Sequence, residues 1–154
     1  MFSRSLSFLI LLFFTSPIFA QDTDESYKKS LRASYLSYLT EQGYKPELDD
    51  DLDIRFKSEG STYYIIVKGE KDFTLSKYLN YENACGKTML LTLNEVNLRF
   101  RNVTAYALSS CDAITISSRS WLKNKQDWKS IFSISLKILQ NAENASYEYI
   151  KEFE

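Results

Sequence analysis

The stretch YLTEQGYKPELDDDLDIRFKSEGSTYYIIV, residues 38–67, decides the fold. It opens with the end of a helical pattern. Tyr27, Leu31, Tyr35, Tyr38 and Leu39 recur at helical spacing and form one apolar stripe, predicting a helix over 26–42. Gly43 suits the left-handed position just past a helix end, and Pro46 prevents a restart. The period then changes to two. Leu52, Ile54 and Phe56 face one way and Asp53, Arg55 and Lys57 the other, as on a half-buried strand. SEGS at 58–61 reads as a hairpin turn with Gly60 free to take positive φ, and TYYIIVKG follows as a strand apolar on both faces. One helix thus leads directly into an antiparallel hairpin.

Working outward, residues 72–79 read as a third strand. Cys85, Met89, Leu93, Val96 and Phe100 mark an amphipathic helix from Asn83 to about Arg99. NVTAYALSS and DAITISS form a second hairpin. Asn124 and Asp127 can cap a last helix running to about Ile150, about 39 Å long. Its apolar positions Trp128, Ile131, Phe132, Leu139 and Ala142 share one face, and Ile134, Leu136 and Ile138 widen the stripe beyond one side. A helix apolar over so much of its girth is either sandwiched within its domain or paired with a second copy. The expectation is an α+β domain, an antiparallel five-stranded sheet with three helices in the order α-β-β-β-α-β-β-α.

Residues 1–20 stand apart. Arg4 precedes an apolar run from Leu6 to Phe14, Pro17 breaks it, and Ala20 fits a signal-peptidase cut. The run is too short for a stable membrane anchor. Cleavage would leave residues 21–154 as one exported domain, periplasmic or secreted, with no membrane anchor. Losing Arg4 takes the net charge from −1 to −2, which provides no basic footprint for nucleic acid. There is no histidine, hence no imidazole base or metal ligand. Phosphate loops, paired-cysteine zinc motifs and nucleophile elbows are lacking too. No catalytic, cofactor-binding or metal residue is assigned, and the chain reads as a non-enzyme.

These words of sequence resemble the YbjN-like proteins, a group with the type III secretion chaperone-like fold. The resemblance rests on residues 38–67, on Asp72 before the third strand, on LNEVNLRF at 93–100 and on WLKNKQDWKSIF at 121–132. It implies a curved antiparallel sheet, frequent dimerisation, the binding of extended segments among the secretion chaperones, and no catalytic residues. The chain departs from secretion chaperones, which act in the cytosol, in carrying an export signal.

Four features invite a closer look. Asp49, Asp50, Asp51 and Asp53 offer hard oxygen ligands, but Ile54 and Gly60 stand where a calcium loop starting at Asp49 needs glycine and glutamate. They read as a solvated joint that keeps the first strand from pairing with strangers. Cys85 and Cys111 can meet, because the strand after the second helix runs back along it, and a disulfide is expected in an exported chain. Asn94 and Asn97 could read a peptide backbone or bond a neighbouring loop. Trp121, Ile134, Leu136 and Ile138 are the candidate partner-binding residues. The function expected is an exported protein-binding or chaperone-like homodimer that binds protein or peptide by apolar burial, with sheet-edge pairing setting the register. The alternative is a small-ligand or carbohydrate binder using Trp121 and nearby tyrosines.

Overall fold

The computed structural model describes residues 19–69, 71–124 and 126–153; side chains are described from Glu25 onward. The apolar run and Pro17 lie outside the described residues, and the expected cut after Ala20 falls in the first turn of the first helix.

The elements are α1 (Phe19–Glu41), β1 (Glu47–Leu48), β2 (Ile54–Ser58), β3 (Ser61–Gly69), β4 (Asp72–Asn80), α2 (Lys87–Arg99), β5 (Val103–Ala107), β6 (Ala113–Trp121) and α3 (Trp128–Phe153). The strands form one sheet, ordered β1-β2-β3-β4-β6-β5, antiparallel throughout. It has six strands rather than the expected five. The addition is β1, a two-residue strand between Pro46 and Asp49 that is too short to show any alternation. The second helix starts at Lys87 rather than Asn83, because Asn83 takes φ 62° and closes a turn, donated by the Gly86 N–H.

All three helices lie on one face of the sheet. Ile54, Phe56, Tyr63, Ile65, Phe73, Leu75, Ile114 and Ile116 alternate onto that face and meet Leu31, Tyr35 and Leu39 of α1, Met89, Leu93 and Val96 of α2, and Trp128, Phe132, Leu136 and Leu139 of α3. Aromatic rings meet edge to face at the centre, Tyr35 on Trp128 at 4.5 Å and Tyr38 on Trp128 at 4.9 Å. The last helix therefore buries most of its wide stripe within its own domain, while Ile134 and Tyr147 stay exposed on its outer side.

Among the described residues no helix lies on the other sheet face. Its middle is floored by small residues, Thr74 and Ser76 of β4 and Thr115 and Ser117 of β6, with the Ser76 and Ser117 hydroxyls bonded at 2.8 Å. Taller neighbours shield them: Tyr64 and Tyr78 edge to face at 5.2 Å, Tyr106, and Arg119.

Both sheet edges are managed. On β5, Asn97 from α2 donates its amide to the Ala105 carbonyl at 2.9 Å and accepts the Ala105 N–H at 2.8 Å. Of the two readings of this residue, the bond to a neighbouring strand is the one realised. At the other edge β1 ends at Pro46 after two pairs. The Asn97→Ala variant should lose about 1–2 kcal/mol, from two unmade hydrogen bonds on a part-buried strand, with hydrogen exchange at Ala105 rising first. Unchanged protection there would contradict the clasp.

Candidate functional site

The turn after α1 shapes a sizeable groove. Gly43 adopts φ +85°, the Tyr44 N–H reaches back to the Leu39 carbonyl, and the Gly43 N–H bonds the Thr40 carbonyl, both at 3.0 Å. This double closure ends the helix and aims Tyr44 inward. Its ring packs on Phe56 at 5.2 Å and Phe132 at 6.0 Å. The chain then rises along β2, and between the turn and the open face of β2 and β3 lies a groove of about 660 Å³. Lys45, Glu47, Arg55, Lys57, Thr62 and Tyr64 line it beside Gly43, Tyr44 and Phe56. Arg55 is fixed in its wall, giving Glu47 Oε1 two hydrogen bonds at 2.8 and 3.1 Å. Bonding to Glu47, and then that carboxylate's charge, holds the guanidinium pKa above its usual value, and Tyr64 adds to this.

The aspartate run forms the turn that joins β1 to β2 within the sheet. Asp49 Oδ1 accepts the N–H groups of Asp51 and Asp53 at 3.0 and 2.9 Å, and Asp53 Oδ1 accepts the Val67 N–H at 2.8 Å. These carboxylates serve their own backbone, closing the turn and extending the β3 ladder. Burial raises the pKa of Asp53 despite that bond. Among the described residues no group of three or more His, Cys, Asp or Glu side chains is placed to hold a metal ion.

A cluster of ionisable groups lies in the core. Lys77 of β4 and Glu143 of α3, with side chains 7% and 10% exposed, pair at 2.8 Å. Ser61 and Tyr63 each donate to Glu143 at 3.2 Å, and the Lys77 ammonium lies 5.1 Å over the Tyr63 ring. Burial, and after it the Glu143 charge, pushes the Tyr63 hydroxyl well above the usual phenol range. It therefore stays protonated as a donor and offers no base. None of these residues lines the groove beside Gly43.

The four candidate partner-binding residues do not come together. Trp121 is 75% exposed on the uncovered sheet face, with the Arg119 guanidinium 5.0 Å over its ring. Arg119 is in turn anchored on buried Asp72, which it meets through Nε at 3.1 Å. Ile134 is exposed on the outside of α3, across the sheet from Trp121. Leu136 is buried in the core and Ile138 half-buried against it. Cys85 and Cys111 are joined as a disulfide with Cα atoms 5.2 Å apart, tying the turn before α2 to the β5–β6 turn.

Sequence reasoning overlooked the outer side of α2. Leu90, Leu91 and Leu98 are 54%, 42% and 69% exposed. At about 100° per residue they share an arc of roughly 100° with Asn94, directly opposite the buried Met89, Thr92, Leu93 and Val96. The helix is thus apolar on two opposed sides. The signal was in the sequence, as leucines off the core stripe, and was passed over once that stripe had been found.

No protein-family model matches the chain, and no curated protein is significantly similar to it. Solved structures do resemble it. An uncharacterised protein of Methanothermobacter thermautotrophicus matches with a TM-score of 0.55 and 10% identity, over 79% of this chain and 97% of that one. YbjN of E. coli, described as a candidate transcription regulator, matches with a TM-score of 0.56 and 9% identity over 78% and 88%. The Yersinia pestis type III secretion chaperone SycH, solved with a fragment of YscM2, gives a TM-score of 0.48 and 12% identity over 77% and 98%. At such identities the likeness concerns architecture alone, and on that level the chain has the fold of YbjN, as the words of its sequence implied.

Proposed function

We propose that this protein is an exported, non-enzymatic protein-binding domain that pairs with a second copy of itself through α2. The observation that carries the reading is the second apolar side of that helix. Three leucines on a 13-residue helix about 20 Å long stand exposed, with nothing among the described residues to cover them. Asn94 lies within their arc, and a two-fold axis across α2 would set Asn94 of one copy opposite Asn94 of the other, where two side-chain amides satisfy each other. A second copy thus supplies both an apolar cover and the matching polar group. The disulfide fits an oxidising compartment. Among the described residues no helix is long and apolar enough to cross a membrane.

The buried Lys77–Glu143–Tyr63 cluster supports the non-enzymatic reading, since its groups are spent on one another away from the groove beside Gly43. The near-neutral charge provides no basic footprint for nucleic acid. The mature chain at tens of micromolar should scatter light as a dimer, and the Leu91→Glu/Leu98→Glu double variant as a folded monomer whose melting temperature falls to that of the wild type at dilutions where pairing is lost. Both leucines are exposed, so the variant tests pairing without testing folding. A monomeric mature wild type would sink the proposal.

A further inference from the structure

We infer that the groove between the Gly43–Glu47 turn and the open face of β2 and β3 is a binding site for a small organic anion, a carboxylate or phosphate ester carried on a flat apolar or aromatic body. The site is separate from α2 and does not depend on pairing. Its volume of about 660 Å³ lies within the range of small-molecule pockets, roughly 300–1,000 Å³. Its charge runs against that of the whole molecule. Lys45, Arg55 and Lys57 face one carboxylate, Glu47, in a chain whose net charge is −1. Cations gathered in a concavity focus a positive field and attract anions from solution.

The walls are preformed. The double closure at Gly43 and the seating of Tyr44 on Phe56 and Phe132 fix one side, and the Arg55–Glu47 pair orients the guanidinium on the other. Little ordering entropy then remains to oppose binding. Both hydrogen bonds to Glu47 end on one carboxylate oxygen. Tyr44 and Tyr64 bring aromatic surface against which a flat body can lie, and the Thr62 hydroxyl adds a donor. An extended polypeptide fits less well. β1 pairs with β2 only at Arg55 and Ile54, so the part of β2 left open, Phe56 to Ser58, is too short to hold a strand in register.

The test uses the mature, disulfide-bonded protein with phenyl phosphate as probe, followed by amide NMR. Saturable shifts are expected at Gly43–Lys45 and Arg55–Tyr64 at millimolar probe. They should be weakened at least about tenfold by the exposed double substitution Lys45→Glu/Lys57→Glu, and by salt. Phenol, the same ring without the anion, should leave these amides unmoved. Equal responses to phenol and phenyl phosphate, unchanged binding in the double variant, or no saturable shift would each overturn the inference. A hexaglutamate peptide ending in tyrosine that binds more tightly than phenyl phosphate would also overturn it, by assigning the groove to a polypeptide.

Discussion

The Lys77→Met variant should lose about 3–5 kcal/mol of unfolding free energy, the cost of leaving one member of a buried ion pair alone. In a domain of this size that is a fall of about 10–20 °C in melting temperature. Methionine keeps most of the length of the lysine stem, so the cavity contribution is small and the charge is what is tested. In the variant the Glu143 carboxylate retains donors from Ser61 and Tyr63 but no cation, at a site where its side chain is only 10% exposed. Those two bonds pull the expected loss toward the lower end of the range. Adding Glu143→Leu should recover most of it, since an apolar pair of similar volume often replaces a buried ion pair without penalty. Urea unfolding of the two single variants and the double would show a coupling of opposite sign to the single losses. A Lys77→Met variant within about 1 kcal/mol of wild type would mean that the pair is solvated, like one at the surface.

Removal of the Cys85–Cys111 disulfide is the second large effect. The two residues are 26 apart in sequence, and releasing a loop of that length from the unfolded chain costs the native state about 3 kcal/mol. The double Cys→Ala variant should still fold, because the same turns are also joined by backbone bonds. The Ala84 N–H reaches the Cys111 carbonyl and the Tyr81 N–H the Asp112 carbonyl, each at 2.9 Å. The loss should therefore appear as a lower midpoint together with a steeper urea dependence, since an unbridged chain exposes more surface when it unfolds. A midpoint unchanged by reduction would show that the bond constrains neither state. The two sites sit on different elements with no shared partner, so their effects should add.

The antiparallel hairpins, the three helices and the bond between Cys85 and Cys111 were all legible in the residues. In each case a strong local period or a stop signal agreed with the tertiary outcome. Gly43 is the best instance, since one glycine announced the helix end that the backbone then realised. What could not be read was of two kinds. β1 is two residues long, and no periodicity exists at that length. The placement of Leu136 and Ile138 depended on how far the sheet, α1 and α2 wrap α3, which a stripe on one helix does not encode. The groove was invisible for a similar reason. Its lining comes from a turn, a two-residue strand and the polar side of a hairpin, and only the fold brings Lys45 near Lys57 and Tyr64.

The clasp of Asn97 on Ala105 bears on how the molecule behaves when crowded. A sheet with one bare face and two unguarded rims would invite neighbours to add strand upon strand into an endless ribbon. Here one rim is latched by an amide and the other is cut short by a proline. Association is steered instead toward discrete contacts between side chains, which stop once they are filled.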